Sequence, residues 1–213
     1  HQDFLIDILS REIEQRKEVR IARKLRQAHF PHKKYLQGMD MTEYEIDIQT
    51  EIEELSTLDF IGAKENVICV GNPGRGKTHL AIALGIAAVM ADMRVLFTNV
   101  PNLVIELKEA MSRNQITAYK KKFEKYELVI IDELGYVSFD KKGNEILFNL
   151  LSNRNEVGSM ILTTNLAFEK WEEVFVDANL TAALVDRLAH KAHVLDMSGE
   201  SYRLKETLQM QVK

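Results

Sequence analysis

Residues Val67 to Leu84 read VICVGNPGRGKTHLAIAL. A run of apolar, β-branched residues breaks into glycines, then Lys77 and Thr78, then an alanine-rich amphipathic stretch. Gly71 to Thr78 fits the pattern G-x-x-x-x-G-K-[ST]. Glycines let the backbone turn tightly and approach an anion, so that successive N–H groups point inward as a nest. The helix that follows adds unsatisfied N–H groups and the positive end of its dipole. Lys77 can reach the β- and γ-phosphates of a nucleotide, and the Thr78 hydroxyl can ligate Mg2+. The bland alternative is a strand-to-helix turn with an incidental lysine. Four fixed positions match by chance in about one chain of this size per hundred, and this match sits between a strand and a helix. Gly71, Asn72, Pro73, Gly74, Arg75, Gly76, Lys77, Thr78 and His79 are therefore the candidate nucleotide-binding residues.

Outward from this loop, strand and helix patterns alternate. NVICVG, RVLFTN, LVIIDE, SMILTTN and AHVLDM read as five strands, separated by helical stretches that include PNLVIELKEAMS, ITAYKKKFEKYE, NEILFNLLSNRNE and a region from Phe168 to Lys191. Near-continuous apolar strands of this kind belong to a parallel sheet covered on both faces, an α/β architecture of three layers. Such a sheet places its ligand at the carboxyl ends of its strands.

Two further strands deliver polar residues there. LVIIDEL is a buried run that ends in Asp132 and Glu133. A carboxylate at that point faces the phosphate loop of a neighbouring strand and can hold Mg2+ through water, while Glu133 can orient and deprotonate a water for attack on the γ-phosphate. SMILTTN ends in Asn165, whose amide can hold that water or touch the γ-phosphate; a simple turn is the competing reading. Trp171 and Phe175 have the spacing of one helical face and belong to the core. The six histidines show no spacing with cysteine or carboxylates that suits zinc.

The chain has 213 residues, 46% of them hydrophobic, and a net charge of −4. Any nucleic-acid contact must come from a local basic patch. Residues 1 to about 30 read as one helix in which Leu5, Leu9 and Ile13 recur every four residues, ending at Pro31. Arg16, Arg20 and Arg23 fall on one face of it and Lys17 and Lys24 on another. Charge alone leaves two readings open, a surface that lies along phosphates or a solvated face interleaved with Glu12, Glu14 and Glu18. Lys120, Lys121, Lys122 and Lys125 form a second basic cluster. HFPHKKYLQGMD reads as a linker, followed by an acidic stretch with a short helix near Leu58. The expected division is therefore residues 1–58, a helical basic segment and linker, and residues 59–213, a nucleotide-binding domain. The single cysteine, Cys69, excludes an internal disulfide. No stretch has the length of a membrane span, no signal peptide is visible, and a cytoplasmic protein is expected. The opening HQDFLIDILS lacks an initiator methionine, which suggests a trimmed N-terminus.

Together the phosphate loop, the Asp132-Glu133 pair and the polar Asn165 resemble the AAA+ ATPases. GRGKTHLAIALG, LVIIDELGY, ILTTNLAFEKWEEVF, LTAALVDRL and GESYRLKE are similar to the IstB-like proteins, ATPase helpers of insertion-sequence transposases, and more loosely to the DnaC and DnaI helicase loaders. The resemblance extends from FLIDILSREIE to the last residues. Asn72 and Arg75 depart from the usual wording, but at variable positions of the loop. The resemblance implies an ATPase using ATP and Mg2+, with Asn165 as sensor 1 and Arg187 of LVDRL as an arginine finger acting on a neighbouring subunit. It thus implies a homo-oligomer with ATP sites at subunit interfaces. Arg154 is the second finger candidate. The implied partners are double-stranded DNA and the transposase of the same element, with helicase loading as the alternative function. DNA contact is then expected at Arg16, Lys17, Arg20, Arg23 and Lys24, and at Lys120, Lys121 and Lys122. The AAA+ helical lid is not expected, because barely a dozen residues follow GESYR, and Arg203 is only a weak sensor 2 candidate. A GTPase is disfavoured, since no asparagine is followed by lysine. A module that only holds nucleotide has no use for Glu133.

Overall fold

The computed structural model describes residues 2–135, 140–175 and 177–202. Five parallel strands form one sheet in the order β2-β3-β4-β1-β5. These are β1 (Asn66–Val70), β2 (Val95–Asn99), β3 (Leu128–Leu134), β4 (Ser159–Thr164) and β5 (Ala192–Asp196). After β1 the chain crosses to the far edge, returns inward through β3 and β4, and then passes β1 to lay down β5. The sequence reading placed the carboxylate strand beside the phosphate-loop strand. Instead β4 lies between β1 and β3, so any link between the loop and Asp132 must pass the end of β4.

Alternation along each strand sends side chains to two separate cores. Val67, Cys69, Ile130 and Ile161 face one layer, built from α4 (Lys77–Met90) with α1 (Gln2–Gln27), α2 (Ile46–Ser56) and α3 (Asp59–Ala63). Ile68, Val129, Ile131 and Leu162 face the other, built from α5 (Val100–Ser112), α6 (Ile116–Phe123), α7 (Lys141–Arg154), α8 (Glu172–Phe175) and α9 (Ala178–Ala189). The three layers expected from the apolar strands are present. Trp171 and Phe175 are buried in the second core, as their spacing predicts. Cys69 is buried in the first, where removal from water pushes its thiol up to about 12.

Local chemistry sets the helix starts. The Asn99 side chain accepts the Asn102 N–H at the head of α5, and Asp140 accepts the Gly143 N–H at the head of α7. The Asp140 cap starts α7 at Lys141, three residues earlier than the apolar pattern suggests.

The segment ahead of β1 packs continuously with the nucleotide-binding domain. Ile21, Leu25 and Ala28 of α1 and its end, then Phe30, Leu36, Met39 and Tyr44, and then Ile52 and Leu55 of α2, all join the first core. The stretch expected to be linker is thus held in place, with two short 3-10 turns at Leu36–Gly38 and Met41–Glu43. The face that carries Leu5, Leu9 and Ile13 is open to solvent. The apolar period in α1 therefore has two meanings: its second half docks on α4, and its first half stands clear.

Candidate functional site

Beyond β1 the backbone turns through Gly71, Gly74 and Gly76, all at positive φ. At each of them a side chain would also collide with a neighbour, at Gly74 with the Ser201 hydroxyl. A Cβ on Gly71 would run into the Met197 carbonyl, and one on Gly76 into the Tyr44 hydroxyl. The Lys77 ammonium is buried and bends back over the loop, donating to the carbonyls of Gly71 at 2.6 Å and Asn72 at 2.8 Å. Thr78, on the first turn of α4, donates its hydroxyl to Asp132 Oδ1 at 2.9 Å.

That same Oδ1 receives the Thr163 hydroxyl at 2.5 Å, and Thr163 Oγ1 in turn accepts the Glu133 N–H at 3.0 Å. Thr163 belongs to β4, the strand that intervenes between the phosphate loop and the carboxylates. A regular strand would send residues 132 and 133 to opposite faces. Here the β3–β4 register shifts between Ile131 and Leu134, and Glu133 adopts a left-handed φ of 64°. The irregularity puts Asp132 against Thr78 while exposed Glu133 lines the cavity over the loop. Strain held at such a position is typical of functional sites.

The cavity has a volume of about 500 Å³, room for a nucleotide. One wall is the loop with Lys77 and Thr78; another comes from Pro31, His32 and Met39, which the sequence reading left as linker, and from Tyr44 of the acidic stretch after it. His79 shares a hydrogen bond of 2.9 Å with the Tyr35 carbonyl, and so ties α4 to this wall. Asn165, just past β4, keeps a buried amide oxygen without a partner among the described residues. The Thr78 hydroxyl, the Asp132 carboxylate and this orphaned polar atom are hard oxygen donors that suit Mg2+ and its water shell.

Asn72 and Arg75 turn away to protein partners. Asn72 donates to the Gly199 carbonyl at 3.0 Å. Arg75, buried, donates to the carbonyls of Glu43 at 2.7 Å and Glu200 at 3.2 Å and lies 5.1 Å from the centre of the Tyr44 ring. Tyr44 closes the circuit by donating its hydroxyl to the Arg75 carbonyl at 2.8 Å. The variable positions of the loop therefore fasten it to chain on both sides. Tyr44 escaped the sequence reading because it lies in no recognisable motif, and Thr163 because the reading of SMILTTN went to its terminal Asn165; only the fold brings the two hydroxyls to the loop.

The arginines separate clearly. Arg187 is exposed on α9, outside the lining of the cavity, with Nη1 3.3 Å from the Ser152 hydroxyl and its guanidinium over Phe148. Arg154 is buried, donating to the carbonyls of Phe123, Tyr126, Glu127 and Ser159. Removal from water lowers its guanidinium to about 10. A guanidinium spent on four carbonyls has no reach to a second subunit, which withdraws Arg154 as a finger. Arg203 lies outside the described residues.

The expected DNA cations also divide. Arg16 pairs with Glu12 at 2.6 Å, and Arg20 and Lys24 both pair with Asp92 beyond the end of α4. Lys17, Arg23, Lys120, Lys121 and Lys122 have no ion-pair partner among the described residues. No helix among those residues is long and apolar enough to cross a membrane.

A glycine-rich loop after β1, a carboxylate pair two strands away and a polar residue ending the strand between them define a P-loop nucleotide-binding domain of the AAA+ type. Solved structures share this fold. AMPPCP-bound DnaA from Aquifex aeolicus is 18% identical with a TM-score of 0.66, over 85% of this chain and 55% of that one. The DnaC helicase loader is 18% identical with a TM-score of 0.62, over 76% of this chain and 96% of that one. The chain belongs to the IstB-like ATP-binding proteins, whose family model matches residues 1–210. Relatives include the "Insertion sequence IS21 putative ATP-binding protein" of Pseudomonas aeruginosa, 39% identical over 97% of this chain and 78% of that protein. The "Insertion sequence IS232 putative ATP-binding protein" of Bacillus thuringiensis subsp. berliner is 36% identical over 96% of this chain and 82% of that protein.

Proposed function

We propose that this chain binds ATP with Mg2+ and hydrolyses it at the interfaces of a homo-oligomer. The cycle serves to hold or remodel double-stranded DNA for the transposase of its insertion element. One observation carries the chemical part: Thr78, Asp132 and Thr163 form a chain of hydrogen bonds at the phosphate loop, with exposed Glu133 beside it on a strained backbone. In this reading Lys77 exchanges its loop carbonyls for phosphate oxygens, Thr78 and Asp132 hold the metal, and Asn165 steadies the attacking water. Glu133 takes that water's proton at its carboxylate. Mg2+, when bound, supplies charge neutralisation on the phosphate oxygens.

The transposition reading draws on the insertion-sequence names of the relatives, and DNA contact on the lysines of α6 and on Lys17 and Arg23 of α1, which have no ion-pair partner among the described residues. Helicase loading stands on likeness of fold alone. The test of the chemistry compares two variants. Glu133→Gln should retain ATP binding and lose about a hundredfold in hydrolysis, the scale of a lost general base. Lys77→Ala should weaken ATP binding itself. Near-normal turnover in Glu133→Gln would remove Glu133 from the mechanism.

A further inference from the structure

A second cavity, of about 380 Å³, lies over the outer edge of β2. Its floor is Leu96 to Asn99, and one wall is the aromatic side of α6 and its end, Tyr119, Phe123 and Tyr126. The opposite wall is His29 and Pro31, and Pro31 also lines the nucleotide cavity. Lys122 stands on the rim.

Three features define what fits. First, the rings are fixed. The Tyr119 hydroxyl donates to Glu106 Oε2 at 2.8 Å, and the ring lies nearly parallel to Phe123 at 6.3 Å between centroids. Such a rigid face suits stacking of a flat ring. Second, the floor is an edge strand with outward peptide groups. The Phe97 N–H donates outward to the Ala28 carbonyl at 2.8 Å, so alternation along the strand turns the Phe97 carbonyl and the Asn99 N–H the same way. An acceptor and a donor on neighbouring turns of one strand edge complement the hydrogen-bonding edge of a base. The bond from Phe97 to Ala28 also interrupts the ladder that an added peptide strand would need. Third, Lys122 lines the cavity, its neighbours Lys120 and Lys121 follow on other sides of the same helix, and none of the three has an ion-pair partner among the described residues. The charge calls for phosphate next to the ring.

We infer that this cavity receives a single unstacked nucleobase of bound DNA, stacked on Tyr119, with Lys122 on the adjoining phosphate. The inference rests on the DNA-binding reading above and deepens it. Withdrawing a base from its stack is costly in intact duplex and far less so where it is already unpaired. A DNA with a ready-made extrahelical base should therefore bind more tightly than a perfect duplex.

The experiment measures affinity for two duplexes of one sequence, one perfect and one carrying a single bulged 2-aminopurine, and follows the fluorescence of that base. The bulged duplex should bind about tenfold tighter, within the range of one stacked base, and the probe's emission should change on binding. Tyr119→Phe keeps the ring and should keep the preference. Tyr119→Ala should bring the ratio of the two affinities to about one. Asn102→Phe, at an exposed position on the rim, should do the same by filling the cavity and does not depend on removing a packed ring. Equal binding of the two duplexes by the natural protein overturns the base cavity while leaving DNA binding intact. A preference that survives both Tyr119→Ala and Asn102→Phe overturns it too. Failure to bind either duplex overturns the DNA reading itself.

Discussion

Thr163 shows how much one hydroxyl can organise. Its single proton goes to Asp132 Oδ1, and its lone pair receives the Glu133 N–H. The carboxylate and the strained backbone beside it are thus fixed by one side chain from the intervening strand. Thr163→Val keeps the shape but strips the Glu133 N–H of its acceptor and leaves Asp132 Oδ1 with the Thr78 hydroxyl alone. Burying an unsatisfied polar group costs about 1–3 kcal/mol, and the melting temperature should fall accordingly. Because Glu133 also loses its anchor, hydrolysis should fall more than ATP affinity does. Thr163→Ser, which keeps the hydroxyl, should restore both. A Thr163→Val protein with unchanged turnover would mean that the register shift alone places Glu133, with no help from this bond.

At the scale of elements, the sequence is legible wherever one element carries its own signal. The strand, glycine loop and helix around Lys77 are readable because each needs a particular residue type at a fixed spacing, and the near-continuous apolar runs of the strands foretell two covered faces. Three things are not legible, each because it depends on what a distant element does. The register shift at Glu133 is a relation between β3 and β4. The division of α1 into a docked and an open half depends on where α4 lies, and the apolar spacing of Leu5, Leu9 and Ile13 is the same as that of a buried face. The partner of Arg20 and Lys24, Asp92, is 68 or more residues away. A further such relation joins α2 to the edge strand β5. His193 Nδ1 is 2.5 Å from Glu51 and Nε2 is 3.1 Å from Glu65. Both ring nitrogens face carboxylates, and both can donate only when the imidazole is charged. Burial opposes that charge, but the two hydrogen-bonded carboxylates outweigh it and raise the pKa above the usual 6.5. The stabilisation is then fully present below the unfolded value and is lost as pH rises through the raised folded value. Asp92 and Asp140 have lowered values, through Lys24 and Lys108 respectively, and weaken only in acid, outside this window. Melting temperature should therefore decline as pH is raised from 6 into the alkaline range, and His193→Gln should flatten that decline. An equal slope in the two proteins would show that the clamp contributes no titrating stability.

At the scale of the whole molecule, none of the candidate arginines among the described residues is aimed into the cavity of its own chain. Arg75 is tied to the backbone of Glu43 and Glu200, Arg154 is buried on four carbonyls, and Arg187 faces outward beside Ser152. Of these, Arg187 alone is free to reach a second subunit, and its loose contacts over Phe148 would cost little to exchange. If it completes a neighbour's site, hydrolysis per chain must rise with protein concentration as the oligomer assembles. Arg187→Ala should lose turnover by about 10³ or more, the scale of fingers in other phosphoryl-transfer enzymes. It should spare nucleotide binding, because Lys77 and the loop amides remain. The discriminating measurement mixes Arg187→Ala with Glu133→Gln, each inactive alone. A finger that acts within its own chain gives no active site in any mixture. A finger that acts across the interface creates sites in which an intact Glu133 meets a neighbour's intact Arg187. Activity should then appear on mixing and peak near equal proportions of the two variants. If mixed oligomers form and no proportion restores hydrolysis, Arg187 is not a finger in trans. The charge on the γ-phosphate would then have to be met from within the chain, by Lys77.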